Sequence, residues 1–443
     1  MNPISRAVRA FPRIILADTK AQICLTAQGE DSPFRDGQEY VVSYYPVEEF
    51  AEQSGWRPGC AWRVRAEGGV LSLEAFFEGE QEHVFWVEEE RGSERIPVAE
   101  ARVYSLQPDL FALRPYKGDL HIHSNRSDGR EEPAHVAAAC REIGMDFVAI
   151  TDHHLYEPSL EAIRAFEGVP MDLLLLPGEE VHPPHNPVHI INFGGGFSLN
   201  ALFGTEAYRE GVERAMASLE ALPAGVDPYQ AASCQWCFDM IREAGGLGIF
   251  CHPYWFTNHR YTPSGALTTY LFDRQPFDAF EVIGGFHRHE VDSNTLQVAR
   301  YHEEQKRGKR IPIVGVSDAH GCHTRELFGW YYTIVWAPQL SFGAIVEAIK
   351  ALRSVAVEAV AGETPRAYGP FRLVKYALYL MREVFPEHDA LCAREGALML
   401  RYVEGDTAAL EALRPAQGSI ARLYDRLWAK PKADPLGCPL GKE

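Results

Sequence analysis

Asp119-Leu120-His121-Ile122-His123 sets two imidazoles two residues apart. Read as a strand, that spacing sends His121 and His123 to one face and Leu120 and Ile122 to the other. Two imidazoles projecting together suit a divalent metal of borderline softness. Of the 17 histidines, 15 fall between His121 and His323, so the middle of the chain carries a chemistry its flanks lack. Further imidazoles and carboxylates recur there in short groups: Asp152-His153-His154, Gly178-Glu179-Glu180, Cys251-His252-Pro253 and Ser317-Asp318-Ala319-His320. Imidazole and carboxylate without thiolate at these positions describe a catalytic metal site with open coordination, in contrast to a Cys-rich structural zinc site.

The elements that must position these groups are legible as short apolar runs. Strand candidates lie near 118–123, 147–150, 173–176, 188–193, 247–251, 279–283 and 311–316, with an edge strand over Tyr331–Trp336. Pro133 opens a helix that Ala134–Ile143 continue and Gly144 ends. Seven strands with intervening helices predict a parallel sheet, open or closed as a barrel. The His/Asp/Glu groups follow the strand candidates, and the carboxyl ends of barrel strands share one rim, where side chains distant in sequence meet. The flanks read differently. Residues 1–115 alternate apolar and polar, as in Val70–Phe76 and His83–Val87, and predict a small β-sandwich-like domain that uses Trp56, Trp62, Phe76, Phe77 and Trp86 in its core. Residues 116–365 form the central domain, and 366–443 read as a helical extension with apolar spacing in Leu373, Tyr376, Ala377 and Leu380. The Pro-containing tail after Lys430 reads as extended.

Asp119-Leu120-His121-Ile122-His123-Ser124, Ser127-Asp128-Gly129, Thr151-Asp152-His153, Gly178-Glu179-Glu180, Cys251-His252-Pro253 and Ser317-Asp318-Ala319-His320, in that order, resemble the motifs of the PHP (polymerase and histidinol phosphatase) family. The resemblance covers about 118–360, a little over half the chain. It implies a distorted seven-stranded (β/α) barrel and two or three divalent metals (zinc, manganese or iron) that hydrolyse phosphate esters. Carried over by position, His121, His123, Glu180 and Asp318 resemble the ligands of a first metal. Glu180 would bridge to a second, held with His189 and His252, and Asp128, His153 and His320 would hold a third. His182 and His185 share a segment with His189, which is preferred because the apolar run Ile190-Ile191-Asn192-Phe193 follows it. Asp318 and His320 are also expected to serve catalysis. Hydroxide held between the first two metals would attack phosphorus while the metals neutralise charge on the phosphoryl oxygens. Arg126, Arg130, Arg260, Arg288 and Arg325 adjoin these motifs; Arg288 and Arg325 are the chosen clamps for an anionic substrate. His287 and His289 could protonate a leaving group.

Composition narrows the partners. Lys plus Arg is 43 against 61 Asp plus Glu, a formal charge of −18 that would repel a nucleic-acid backbone. Together with the resemblance, this makes a small anionic phosphomonoester or phosphodiester the expected substrate. No apolar run reaches the ~18 residues a membrane helix needs, and Met1–Arg13 lacks a secretory pattern. Nine cysteines without framework spacing argue for reduced thiols and a cytoplasmic protein, homo-oligomeric or not. Cys234-Gln235-Trp236-Cys237 has redox spacing but lies within a helical pattern, which favours packing cysteines. Gly194-Gly195-Gly196 lacks the lysine of a phosphate-binding loop and reads as a flexible turn. Two other functions compete: an amidohydrolase-type metal hydrolase, which shares the HxH strand, and a non-catalytic metal-bound scaffold. Glu180 and the Ser-Asp-Ala-His group argue against the former, and nine competent ligand positions argue against the latter.

Overall fold

The computed structural model describes residues 8–27, 32–48, 60–324 and 326–429. Trp56, Arg325 and the tail after Lys430 lie outside the described residues. The chain divides into two compact units, Met1–Leu113 with Ala421–Glu443, and Arg114–Ile420.

In the first unit, β1 (Val8–Phe11), β2 (Ile14–Leu16), β3 (Thr19–Ala27), β4 (Glu39–Pro46), β5 (Cys60–Arg65), β6 (Leu71–Phe77), β7 (Glu82–Arg91) and β8 (Glu94–Leu106) precede a short helix, α1 (Pro108–Phe111). They make a three-stranded sheet, β1-β3-β6, and a five-stranded sheet, β2-β8-β7-β4-β5. Strict alternation along β6 buries Leu71, Leu73, Ala75 and Phe77 and exposes the residues between, Phe76 included. These side chains pack with Ile23, Val42, Phe85 and Val87. His83 is enclosed there between the Tyr44 hydroxyl and Ser105 Oγ, each 2.7 Å away, and burial pushes its pKa down to about 3.

The second unit begins with β9 (Arg114–Asp119), α2 (Pro133–Glu142), β10 (Phe147–Ala149), α3 (Glu157–Ala165), β11 (Leu174–Leu176), β12 (Gly178–Val181) and β13 (Ile190–Phe193). There follow α4 (Glu206–Ala217), α5 (Pro228–Glu243), β14 (Leu247–Phe250), a hairpin of β15 (Trp255–Thr257) and β16 (Arg260–Thr262), α6 (Gly265–Arg274), β17 (Ala279–Gly284), α7 (Val291–Lys306) and β18 (Ile313–Val316). β19 (Tyr331–Ala337), α8 (Phe342–Lys350), β20 (Ser354–Glu358), β21 (Arg366–Tyr368), α9 (Phe371–Glu383), α10 (Phe385–Val403) and α11 (Ala408–Leu413) complete it.

The strands form two sheets, in the orders β11-β10-β9-β19-β20-β21 and β12-β13-β14-β17-β18. Parallel pairing holds within β9-β10-β11 and within β14-β17-β18. The expected all-parallel arrangement does not extend further: β12-β13-β14 pair antiparallel, as do β9-β19-β20. Only residues 182–189 separate β12 from β13, too few for the crossover of a dozen or more residues that a parallel pair requires. Both sheets face one core, in which Leu120, Phe147 and Val335 meet Ile191, Leu247 and Val314. Isolated bridges join the sheets along one seam, Ile122 to Ala319 and His153 to Glu180. Every one of those four positions lies in or beside a predicted metal-binding motif.

Candidate metal centre

The HxH pair lies just past the end of β9, where Ile122 bridges Ala319. The buried Asp119 carboxylate fixes that crossing, accepting hydrogen bonds from Ser317 N at 3.1 Å and His121 N at 3.3 Å. Burial raises its pKa to about 6 despite these bonds. Asp318 sits at φ +49°, a left-handed conformation that turns its carboxylate to His123 Nε2 at 2.9 Å and His121 Nε2 at 3.1 Å. Asp152 accepts from Ser124 N, Ser124 Oγ, Ser127 N and Ser127 Oγ, which curls the following loop and presents Asp128.

Glu179 and Glu180 alternate on β12. Glu179 is committed to Asn192, Ser198 and Leu199 N, so Glu180 is the one that faces the histidines. Its two oxygens face different partners. Oε1 lies 2.8 Å from His189 Nδ1 and 3.5 Å from His252 Nε2, whereas Oε2 lies 3.5 Å from His123 Nε2 and 3.6 Å from His121 Nε2. Asp128 Oδ1 lies 3.2 Å from His320 Nε2 and 3.5 Å from His153 Nε2. All nine sequence-predicted ligands are thus brought together, and His153 Nδ1 also meets Glu180 Oε2.

The donor set fits a cation. His121 Nε2, His123 Nδ1, His189 Nδ1 and both Glu180 oxygens are buried without a well-directed hydrogen bond, although Glu180 Oε1 and His189 Nδ1 stand only 2.8 Å apart. Leaving such groups unsatisfied costs several kcal/mol, a cost that coordination of a cation removes. Donor atoms of His121, His123 and Glu180 lie within 4.8 Å of one another, as do those of His121, His252 and Asp318, and of His123, Asp128, His153 and His320. Burial by itself would raise the Glu180 pKa, but His189 and His121 outweigh it and hold the carboxyl well below its usual range. Asp318 is depressed in the same way, by His121 and His123 against burial. Burial likewise opposes charge on His121, yet Asp318 and Glu180 raise its pKa well above the usual value.

Two participants escaped the sequence reading of the cluster. Glu281, fully buried on β17, has Oε2 3.2 Å from His121 Nδ1, which orients the ring so that Nε2 points inward. Its signal was a carboxylate interrupting the apolar run Ala279–Ile283. His182, set aside in favour of His189, stands beside it: the two ring centroids are 3.9 Å apart.

A cavity of about 330 Å³ opens onto Asp318, His320, His189 and His252, with Trp255 and His287 in its wall. No lysine or arginine lines it among the described residues. Arg288 is turned elsewhere, against the Trp330 ring, the Ala361 carbonyl and Glu363. Arg126 is bound to Glu132 and Glu161, and Arg260 is exposed on the β15–β16 hairpin. Arg130 lies along Gly321, beside the His320 loop. His289 stacks on His287 at 5.7 Å. Cys234 and Cys237 are buried within α5, where burial raises both thiol pKa values, Cys234 to about 12.

No protein-family model matches the chain. Among curated proteins it is 44% identical over 97 residues to the DNA polymerase/3'-5' exonuclease PolX of Bacillus subtilis, covering 17% of each chain. The converged motif series adds a second likeness to that match. The chain is PHP-like. It spans under a fifth of PolX, so that enzyme's activities do not transfer with the shared segment. The PHP-like chain is also 25% identical over 190 residues to an uncharacterized protein of Methanocaldococcus jannaschii, covering 40% of this chain and 87% of that one. A two-domain Bacteroides vulgatus structure named for a PHP-like metal-dependent phosphoesterase shares 18% identity at TM-score 0.39, over 55% of this chain and 65% of that one. A Chromobacterium violaceum amidohydrolase shares 21% at TM-score 0.29, over 46% and 87%. Similarity at these scores does not choose between the two activities.

Proposed function

We propose that this chain is a metal-dependent phosphoesterase of a small phosphomonoester or phosphodiester. The supporting observation is the division of labour at Glu180, whose Oε1 faces His189 and His252 while Oε2 faces His121, His123, His153 and His182, two separate sets as a bridging carboxylate requires. We read the second unit as a distorted seven-stranded barrel opened into two sheets, with α9 to α11 added to it as a helical extension. His121, His123, Glu180 and Asp318 would hold one divalent ion, Glu180, His189 and His252 a second, and Asp128, His153 and His320 a third. Zinc, manganese and iron all suit this donor set. Bound there, the ions would supply a nucleophile from water at neutral pH and neutralise charge on the phosphoryl oxygens.

The remaining work falls to the chain itself. Asp119, Asp152 and Glu281 hold the ligand loops and rings in place, so little reorganisation is needed when substrate arrives. Asp318 and His320 border both the cluster and the cavity, where they would orient the reacting phosphoryl group. His287, also in the cavity wall, is placed to give a proton to the leaving oxygen. Arg325, next in sequence to the His320 loop, is our candidate clamp on phosphoryl oxygens, a role the position of Arg288 does not favour.

The test pairs metal analysis with turnover. Protein purified without chelator should carry two to three equivalents of Zn, Mn or Fe per chain and hydrolyse a chromogenic phosphate ester. Asp318→Ala and His123→Ala should each lower kcat/KM by at least ~10³-fold while circular dichroism stays unchanged, the scale of losing a principal charge-stabilising group. Wild-type turnover in either variant would sink the assignment.

A further inference from the structure

We infer that His182 is a metal ligand of this cluster, additional to the nine residues that the motif positions assign. The inference rests on the metal-dependent reading above and extends it to a residue outside those motifs.

The sequence places His182 well for the task. Glu180-Val181-His182 repeats the i, i+2 spacing of His121-Ile122-His123, so an extended chain turns Glu180 and His182 to the same side. The backbone there is pinned. His182 N donates to Asn200 Oδ1 at 3.2 Å, and Asn200 Nδ2 donates to the Glu180 carbonyl at 2.9 Å. The imidazole lies between the rings of His189, 3.9 Å away, and His154, 4.3 Å away, and its side chain is only 18% exposed.

The donor atoms converge. His182 Nε2 lies 3.4 Å from Glu180 Oε2 and 3.0 Å from His153 Nδ1. Donors held ~2.0–2.2 Å from one ion stand roughly 3–3.5 Å apart in tetrahedral or octahedral arrangements. Both separations fall in that range, as does that between Asp318 Oδ1 and His121 Nε2 at 3.1 Å. Asp318 reaches those nitrogens from the loop after β18, whereas His182 approaches Glu180 from the end of β12. A surface histidine would have no reason to place its Nε2 against a fully buried carboxylate already surrounded by five other imidazoles. An additional imidazole in this cluster would tighten its hold on a cation that prefers nitrogen donors, zinc before manganese.

The competing role is a hydrogen bond to His153 with no contact to metal, and the two are separable by substitution. Full-length protein is loaded with zinc, desalted, and assayed for bound metal and for its rate of release to excess chelator, in wild type and in His182→Ala, His182→Gln and His182→Asp. As a ligand, His182 predicts that Ala and Gln both lose up to one equivalent or release zinc about tenfold faster or more. Asp, which can coordinate, should recover most of the retention. X-ray absorption of the loaded Ala variant should show a lower imidazole count per zinc. Retention by Gln at the wild-type level, or no change in Ala, overturns the inference. Equal thermal melts of the metal-free variants and metal-free wild type exclude misfolding as the cause. A wild type that takes up no zinc would instead overturn the metal-dependent reading beneath it.

Discussion

At the scale of single residues, the centre depends on side chains that never meet substrate. Glu281 Oε2 reaches the far nitrogen of His121, and that contact decides which nitrogen faces the cluster. Glu281→Gln keeps the shape and removes the charge. It should weaken metal retention by about 10–100-fold, the range typical of a carboxylate that orients a ligating histidine. Chelator competition on the loaded protein measures this, and retention equal to wild type would show that the contact is incidental. The candidate ligands were legible because their types and motif order are written locally. The choice of Glu180 over Glu179 followed from the motif and agrees with the bonds that occupy Glu179. Glu281 was not legible as a participant, since one carboxylate in an apolar strand announces burial without naming its partner. Arg288 failed as a clamp for a related reason: adjacency in sequence does not say whether a long side chain turns toward a cavity or onto a neighbouring tryptophan.

Between elements, a buried charge network joins α2, the start of β10 and α10. Arg141 reaches Asp146 at 2.9 Å and Glu395 at 2.6 Å, and His388 Nε2 reaches Asp146 Oδ1 at 3.0 Å. Gly396 lets α10 lie close to α2, because a Cβ there would come within 2.2 Å of Glu142 N. Burial opposes ionisation of Asp146, but His388 and Arg141 prevail and bring its pKa to about 2. Burial also opposes charge on His388, but Asp146 raises its pKa well above the usual value. The signs set a stability plateau. The Asp146 contribution is present above the ordinary carboxyl pKa of ~4 and lost as pH falls through about 2. The His388 contribution is present below ~6.5 and lost as pH rises through its raised folded value. Asp146→Asn should cost about 3–5 kcal/mol on the plateau, because it leaves Arg141 and His388 underpaired. It should also flatten the alkaline decline that His388 produces. Urea unfolding from pH 5 to 10 tests both, and a variant parallel to wild type across that range would refute the linkage. None of this was legible in the sequence. The helical periodicity of 366–403 announced helices, but the partner of His388 lies 242 positions away and no local pattern points to it. The strand candidates fared better, since apolar runs of four to six residues carry their own signal. β12 was missed because Gly178-Glu179-Glu180-Val181 carries two acids and reads as a strand end.

For the molecule as a whole, the acidic balance and the acidic cluster set the same condition. A chain of net charge −18 whose cavity shows no lysine or arginine among the described residues offers an anion nothing favourable until cations occupy the centre. Metal should therefore govern both substrate binding and stability. Inorganic phosphate should bind the loaded protein and leave the metal-free protein without measurable heat in titration calorimetry. Ions that bind only the folded state add about 4 kcal/mol at a thousandfold excess over Kd. At roughly 2 °C per kcal/mol for a domain of this size, chelation should lower the melting temperature by about 8 °C. Faster amide exchange should accompany it at 119–123, 151–154, 178–182 and 317–320, the segments that carry donors from both sheets to the seam. Those segments are held there by Asp119, Asp152 and the isolated bridges, so removal of metal should loosen the seam and leave the core of Leu120, Phe147 and Ile191 protected. Uniform loss of protection across the second unit would mean that the ions hold the fold itself together. Unchanged exchange at all four segments would mean that the donors do not act as one site.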